Sequence, residues 1–215
     1  MNKVFSSSYT FILAGVLFLA CSYWIYRNVK VNNLIGKTSV PPVTTQKESA
    51  KKLDLEIRNN DIVEVVSPDA VKLIIDGDKI ENFESFSNLS ISPDSKKMCF
   101  LVSTITPIWL YVANVDGSDL KRVGLAINCV WSPDSTKVAY NNHTTDVSNS
   151  DIYVYYLPSG ASANLTNWPQ STESVRIYSV PGWTSNSKIK SSYMDTRLSD
   201  LTRQTGDVEI AVPGN

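Results

Sequence analysis

The chain has 215 residues, with 20 Lys and Arg against 21 Asp and Glu, a net charge of −1, and only 19% charged residues beside 42% hydrophobic ones. A balance this near neutrality supplies no electrostatic drive towards nucleic acid, and 3 cysteines without metal-ligand spacing offer no zinc framework. Solubility rests on Ser, Asn and Thr, which suits an exported β domain.

In chain order, residues 1–8 form a short flank containing Lys3. Residues 9–26 carry no charge and centre on Phe11-Ile12-Leu13-Ala14-Gly15-Val16-Leu17-Phe18-Leu19-Ala20. At a rise of about 1.5 Å per residue this run spans roughly 27 Å, near the minimum for a membrane helix. It continues through Tyr23-Trp24-Ile25-Tyr26 to Arg27 and Lys30, an aromatic belt before a basic flank, so a retained single-pass signal anchor is expected. Two alternatives stay open. One is a cleaved secretory signal, whose apolar stretch is ordinarily shorter. The other is a lipid-modified Cys21, since Phe18-Leu19-Ala20-Cys21 resembles a bacterial lipobox. Lys3 and the terminal amine, set against Arg27, Lys30 and Lys37, argue by the positive-inside rule for a cytoplasmic domain.

Residues 27–60 read as an extended linker. Its Thr38-Ser39-Val40-Pro41-Pro42-Val43 favours polyproline-like conformations, and the helix formers of 46–58 suffice for a turn or two.

From residue 61 the chain repeats. Asn128-Cys129-Val130-Trp131-Ser132-Pro133-Asp134-Ser135 leads into Lys137-Val138-Ala139-Tyr140 and then Asp151-Ile152-Tyr153-Val154-Tyr155-Tyr156-Leu157. The same plan stands upstream in Asn88-Leu89-Ser90-Ile91-Ser92-Pro93-Asp94-Ser95, followed by Ile108-Trp109-Leu110-Tyr111-Val112. A weaker copy begins at Gly182-Trp183, with Asn186 in place of the Asp; Asp200-Leu201 and 206–210 are its candidate later strands. A partial copy stands at Val65-Val66-Ser67-Pro68-Asp69, followed by Val71 to Ile75. The run from Ile152 to Leu157 is apolar or aromatic throughout, which predicts a strand buried on both faces. A period of about 40 residues with four strands per unit is the pattern of β-propeller blades, which bury their faces by stacking.

Ser-Pro-Asp after an apolar or aromatic position, then an apolar strand, then Asp-Ile-Tyr-Val, resembles the TolB-type, WD40-like β-propeller repeat. The resemblance covers 88–166 well and 62–210 loosely. It implies an all-β, propeller-like array of four-stranded blades over 61–215; at about 40 residues per blade that stretch holds three to four, an incomplete or open array, behind the one transmembrane helix expected at 9–26. It also implies an extracytoplasmic domain, periplasmic or extracellular, against the charge count. Where the family has Gly after the Asp, this chain has Ser95, Ser135 and Ser187, which predicts turns of another type. Cys99 falls where the next repeat has Ala139, and Cys129 where the previous one has Leu89, so both read as small core residues. The alternative is a disulfide between adjacent blades in an oxidising compartment.

Chemistry is scarce. His143, the one histidine, stands in the polar loop Asn141-Asn142-His143-Thr144-Thr145-Asp146 and reads as solvated. Gly160-Ala161-Ser162-Ala163-Asn164 imitates a nucleophile elbow, but it lacks the final Gly and the strand-to-helix context. The acidic turns Asp76-Gly77-Asp78 and Asp116-Gly117-Ser118-Asp119 read as hairpin chemistry rather than calcium loops. No catalytic, cofactor-binding or metal-binding residue is assigned, and no cofactor is expected. The candidate partner-binding loop comprises Asn141, Asn142, His143, Thr144 and Asp146.

The expected function is a membrane-anchored, extracytoplasmic, non-catalytic propeller module that binds a protein or an envelope polymer. Two chains completing one ring is a further expectation. The alternatives are the propeller portion of a larger enzyme, such as a propeller-containing serine peptidase, and a sensor ectodomain.

Overall fold

The computed structural model describes residues 53–105, 107–142, 150–169 and 171–214. The anchor expected at 9–26 and most of the linker lie outside them. Among the described residues no helix is long and apolar enough to cross a membrane.

Sheet one has three antiparallel strands, β1 (Leu55–Arg58), β2 (Asp61–Ser67) and β3 (Ala70–Asp76). It begins inside the segment expected to be linker. Asn59 and Asn60, at φ 49° and 69°, make a tight two-residue hairpin between β1 and β2. Asparagine tolerates the left-handed region that such a turn demands at both central positions. Ser67-Pro68-Asp69 then turns the chain into β3, as the partial repeat predicts.

Sheet two runs β4 (Phe83–Ile91), β5 (Lys97–Thr104), β6 (Ile108–Asn114) and β7 (Lys121–Leu125), in that spatial order. Sheet three runs β8 (Val130–Trp131), β9 (Lys137–Asn141), β10 (Ile152–Tyr156) and β11 (Ala161–Asn164), again in order. Sheet four is built differently. Its β12 (Ser174–Tyr178) and β13 (Gly182–Ser185) pair with opposite ends of the long β14 (Lys188–Arg197), separated by a fully buried Pro181. The other edge of β14 carries β15 (Arg203–Ala211) along nearly its whole length. Asp200-Leu201, expected as a strand, instead forms the turn before β15, with Leu201 at φ 57°.

Strand alternation directs successive side chains to opposite neighbours, and three cores result. Met98, Phe100 and Val102 of β5 face sheet one, packing with Ile62, Ile75 and Phe86. Cys99 and Leu101 of the same strand face sheet three, beside Val138, Tyr140 and Tyr155. Ala139, Val154 and Tyr156 point the other way, towards Ile189 of sheet four. Ile152, Val154, Tyr155 and Tyr156 are all buried, so β10 is covered on both faces as its composition predicts. Consecutive antiparallel sheets packed through their faces are β-propeller blades.

Polar hooks recur between the blades. Trp131 Nε1 donates to the Ser90 carbonyl at 3.1 Å, 41 residues upstream. Trp183 Nε1 repeats the contact one blade later, donating to the Val130 carbonyl at 3.0 Å. Asparagines add a second set: Asn88 Oδ1 accepts from Cys129 N at 3.1 Å, and Asn141 Nδ2 donates to the Tyr178 carbonyl at 3.1 Å. A covalent tie joins blades two and three, where Cys99 and Cys129 form a disulfide with Cα atoms 6.5 Å apart. Both cysteines are core residues, and they are also bonded to each other; a small thiol and a half-cystine carry the same hydrophobic signature in sequence.

The Ser-Pro-Asp turns correct one expectation. Ser95 and Ser135 themselves adopt the left-handed conformation that glycine favours, at φ 59° and 60°, whereas Ser187 does not. Ser135 offsets the backbone strain with a contact of its own, its Oγ accepting from Asp94 N across the blade boundary at 3.0 Å.

The disulfide and the two strained turns each set a measurable part of the stability. Cys99→Ala with Cys129→Ala should lower unfolding free energy by about 3–4 kcal/mol, the loop-closure value for a separation of this order, measured by urea titration. Ser95→Gly should stabilise by about 0.5–1 kcal/mol because glycine relieves the positive φ. Ser135→Gly should gain nothing, because it also loses a hydrogen bond worth about 1 kcal/mol.

Candidate functional site

The loop singled out in the sequence lies between β9 and β10. Its residues 143–149, including His143, Thr144 and Asp146, fall outside the described residues; its two feet do not. Asn141 is fully enclosed, its Oδ1 accepting from Asn128 Nδ2 at 2.7 Å and its own amide reaching Tyr178, so it is occupied in holding blades three and four together. Asn142 N donates to the Asp151 carbonyl at 2.9 Å, which closes the base of the loop. The Asn142 side-chain oxygen and the Ser150 hydroxyl are both buried and have no hydrogen-bond partner among the described residues. An unpaired buried polar group costs about 1–3 kcal/mol, so two of them at the feet of one loop require an explanation.

Beside that base stands a charged and aromatic cluster that sequence reading missed. Ser150 N donates to the Arg176 carbonyl at 3.1 Å, and Tyr178 N donates to the Ser150 carbonyl at 3.3 Å, so the foot of the loop continues into β12. The Arg176 guanidinium grips Asp195 with two nitrogens. Its centre lies 3.4 Å from the Trp168 ring centroid and 4.0 Å from that of Tyr193. The fork geometry and the flat ring faces explain why arginine holds this place, and the Asp195 contact raises its already high pKa further. No local motif announces the cluster, because its members come from three separate strands and turns.

Asp195 is also part of the wall of a half-open cavity of about 730 Å³, lined by Thr172, Glu173, Ser174, Arg197 and Thr202 among others. The lining is rich in hydroxyl and charged groups, so it is suited to a polar ligand. The cluster and the cavity share Asp195, and the loop foot reaches the cluster through the backbones of Ser150 and Arg176.

The other sequence candidates resolve into structure. Ser162 lies mid-strand in β11 opposite Tyr155. Asp76 caps the short 3-10 turn Gly77–Lys79 by accepting from Asp78 N at 3.1 Å. Asp116 accepts from the Ser118 amide and hydroxyl, as a hairpin turn requires. Among the described residues no group of three or more His, Cys, Asp and Glu is placed to hold a metal ion. The Ser-Pro-Asp aspartates close their turns: Asp134 accepts from Ser132 Oγ at 2.6 Å and Thr136 N at 3.1 Å.

These features define the class: an array of β-propeller blades, with a charged and aromatic cluster and a polar cavity on its fourth sheet. No protein-family model and no curated protein sequence matches the chain. Solved structures similar to it include TolB from Acinetobacter baumannii, at 14% identity over 67% of this chain and 36% of that one, with a TM-score of 0.39. The propeller domain of the Trilobed protease from Pyrococcus furiosus is 12% identical over 61% of this chain and 44% of that one, TM-score 0.41. A prolyl endopeptidase structure is 16% identical over 71% of this chain and 28% of that one, TM-score 0.43. The chain thus spans less than half the length of each, and the likeness concerns the fold alone.

Acid should weaken the blade turns. Burial works against ionising Asp134, but donors from Ser132, Thr136 and Lys137 outweigh it and hold the carboxyl at about 2. Asp94 is also lowered, chiefly by the Ser92 hydroxyl. An unfolded aspartate, with a pKa of about 3.9, binds its proton at higher pH than the folded one. The contribution of Asp134 is therefore complete above about pH 4 and lost as pH falls through about 2. Asp134→Asn should flatten that part of the stability–pH curve, measured by chemical denaturation from pH 5 downwards.

Proposed function

We propose that this chain is a membrane-anchored, extracytoplasmic propeller module that binds a protein or an envelope polymer through the β9–β10 loop and the adjoining polar cavity. The observation that carries the binding reading is the pair of buried groups at the feet of the loop. Asn142 Oδ1 calls for a donor and Ser150 Oγ accepts either role, which is what an amide-rich or hydroxyl-rich ligand supplies. Extracytoplasmic placement is supported by the Cys99–Cys129 disulfide, since such bonds persist in oxidising compartments and are rare in a reducing cytosol. The apolar run at 9–26 supports the anchor.

A second reading, the propeller portion of a larger enzyme, draws support from sheet one. Val71 and Leu73 remain 47% and 51% exposed there, surface on which a further element could pack. A longer reading frame carrying a GxSxG segment would favour it.

The binding reading is tested by co-sedimentation with isolated cell-wall polymer and by cross-linking to envelope proteins. Asn142→Leu should keep or slightly raise folding stability, because it removes an unpaired polar group, yet abolish retention. Retention unchanged by Asn142→Leu and by scrambling residues 143–149 would remove the loop from the function.

A further inference from the structure

One face of sheet four changes character along its length. Ile189, Ser191, Tyr193, Asp195 and Arg197 of β14 point the same way by strand alternation, and Ile189 is buried against Ala139, Val154 and Tyr156 of sheet three. Further along, the same face carries planar and hydroxylated groups in register across three strands. Tyr178, Tyr193 and Gly206 stand in one row, Arg176, Asp195 and Gln204 in the next, and Ser174 with Arg197 in the last. A Cβ at Gly206 would lie 2.6 Å from the Tyr193 hydroxyl, so that ring lies across the glycine.

The cavity opens on the last two rows, with Ser174, Asp195, Arg197 and Gln204 in its wall. Its volume of about 730 Å³ falls within the range of small-molecule sites, roughly 300–1,000 Å³. Most such sites are lined by apolar groups, but here Leu198 is the one apolar side chain in the wall among the described residues. Charge does not select the ligand either. Arg176 is paired with Asp195, and Arg197 with Asp200 at 3.3 Å, which leaves Glu173 as the unbalanced charge of the wall and disfavours an anion. Hydrogen bonding remains. Asp195 only accepts, Arg197 only donates, and the Gln204 amide and Ser174 hydroxyl do both. Arg176 holds both Asp195 oxygens from one side, with Trp168 and Tyr193 against its guanidinium, so the carboxylate is fixed in orientation. A sugar hydroxyl is donor and acceptor at once, so a pyranose with neighbouring hydroxyls suits a flat wall on which acceptors and donors alternate. A peptide is recognised instead along a strand edge or by pockets for its side chains, and this wall is a polar sheet face.

We propose that the cavity on sheet four binds an uncharged saccharide chain, whose ring hydroxyls are hydrogen-bonded by Asp195, Gln204 and Ser174. The inference rests on the envelope-polymer form of the binding reading above and names the chemical class of its ligand.

The test titrates the full chain calorimetrically with tetramers of N-acetylglucosamine, glucose and mannuronate, in an amine-oxide detergent that brings no sugar of its own. At least one uncharged tetramer should bind saturably, and the mannuronate tetramer should bind more weakly. Gln204→Leu and Ser174→Ala should each weaken the uncharged ligand by about five- to tenfold. Both side chains lie outside the three cores, so folding is retained. Lys190→Ala, on the opposite face of β14, should leave binding unchanged. The proposal is overturned if neither uncharged tetramer binds, if both wall variants bind as wild type does, or if mannuronate is preferred. Envelope retention that is lost in Asn142→Leu, with no tetramer bound, removes the saccharide and keeps the binding reading. A tetramer bound by a chain that envelope material does not retain does the reverse.

Discussion

The array rests on the two-sided burial of its middle strands. A strand such as β10, with Ile152, Val154, Tyr155 and Tyr156 all enclosed, cannot be stable in a sheet that is wet on either side. Each buried apolar side chain contributes about 1.5–3 kcal/mol only when its face is covered, so no single blade of this chain folds alone. Stability is therefore a property of the boundaries between blades, and those boundaries hold the devices that set them in register.

Those devices divide the work. Apolar contacts supply most of the free energy but tolerate sliding, because one methyl group packs much like another. The tryptophan hooks, the asparagine bridges and the disulfide are directional, each joining one atom of a blade to one atom of its neighbour. Ser135 shows how closely turn and boundary are coupled, since the residue that strains the turn is also the one that ties it across. The same coupling shapes the polar surface. Asn141 holds blades three and four together, while Asn142, one residue on, points a buried oxygen towards the base of the loop without a partner among the described residues.

The two ends of the array differ in kind. Sheet four turns out a face of paired charges, Lys188 with Glu209 and Lys190 with Asp207. Sheet one ends with valine and leucine half exposed. The polar cavity thus lies on the sheet that turns out charges, and the half-exposed apolar surface on sheet one.

By itself the sequence determined the blades. Repeat spacing, strand alternation and Ser-Pro-Asp turns are local signals, set by the φ of proline, by Asx hydrogen bonds and by the two-residue period of a strand. The polar loop at 141–146 was visible on the same grounds, as a charged and amide-rich interruption. The hairpin at Asn59 and Asn60 was legible in principle and was hidden by the polar stretch before it. What only the tertiary structure decided was which distant residues meet. Cys99 and Cys129 read as two ordinary core residues until adjacent blades face each other. Arg176 joins Trp168, Tyr193 and Asp195 only once β14 lies beside β12. The inward or outward sense of Lys190 and Glu209 is equally silent in a string of alternating residues. Local signals act within a few bonds along the chain, whereas a site arises from packing between blades, and that geometry exists only after the sheets have stacked.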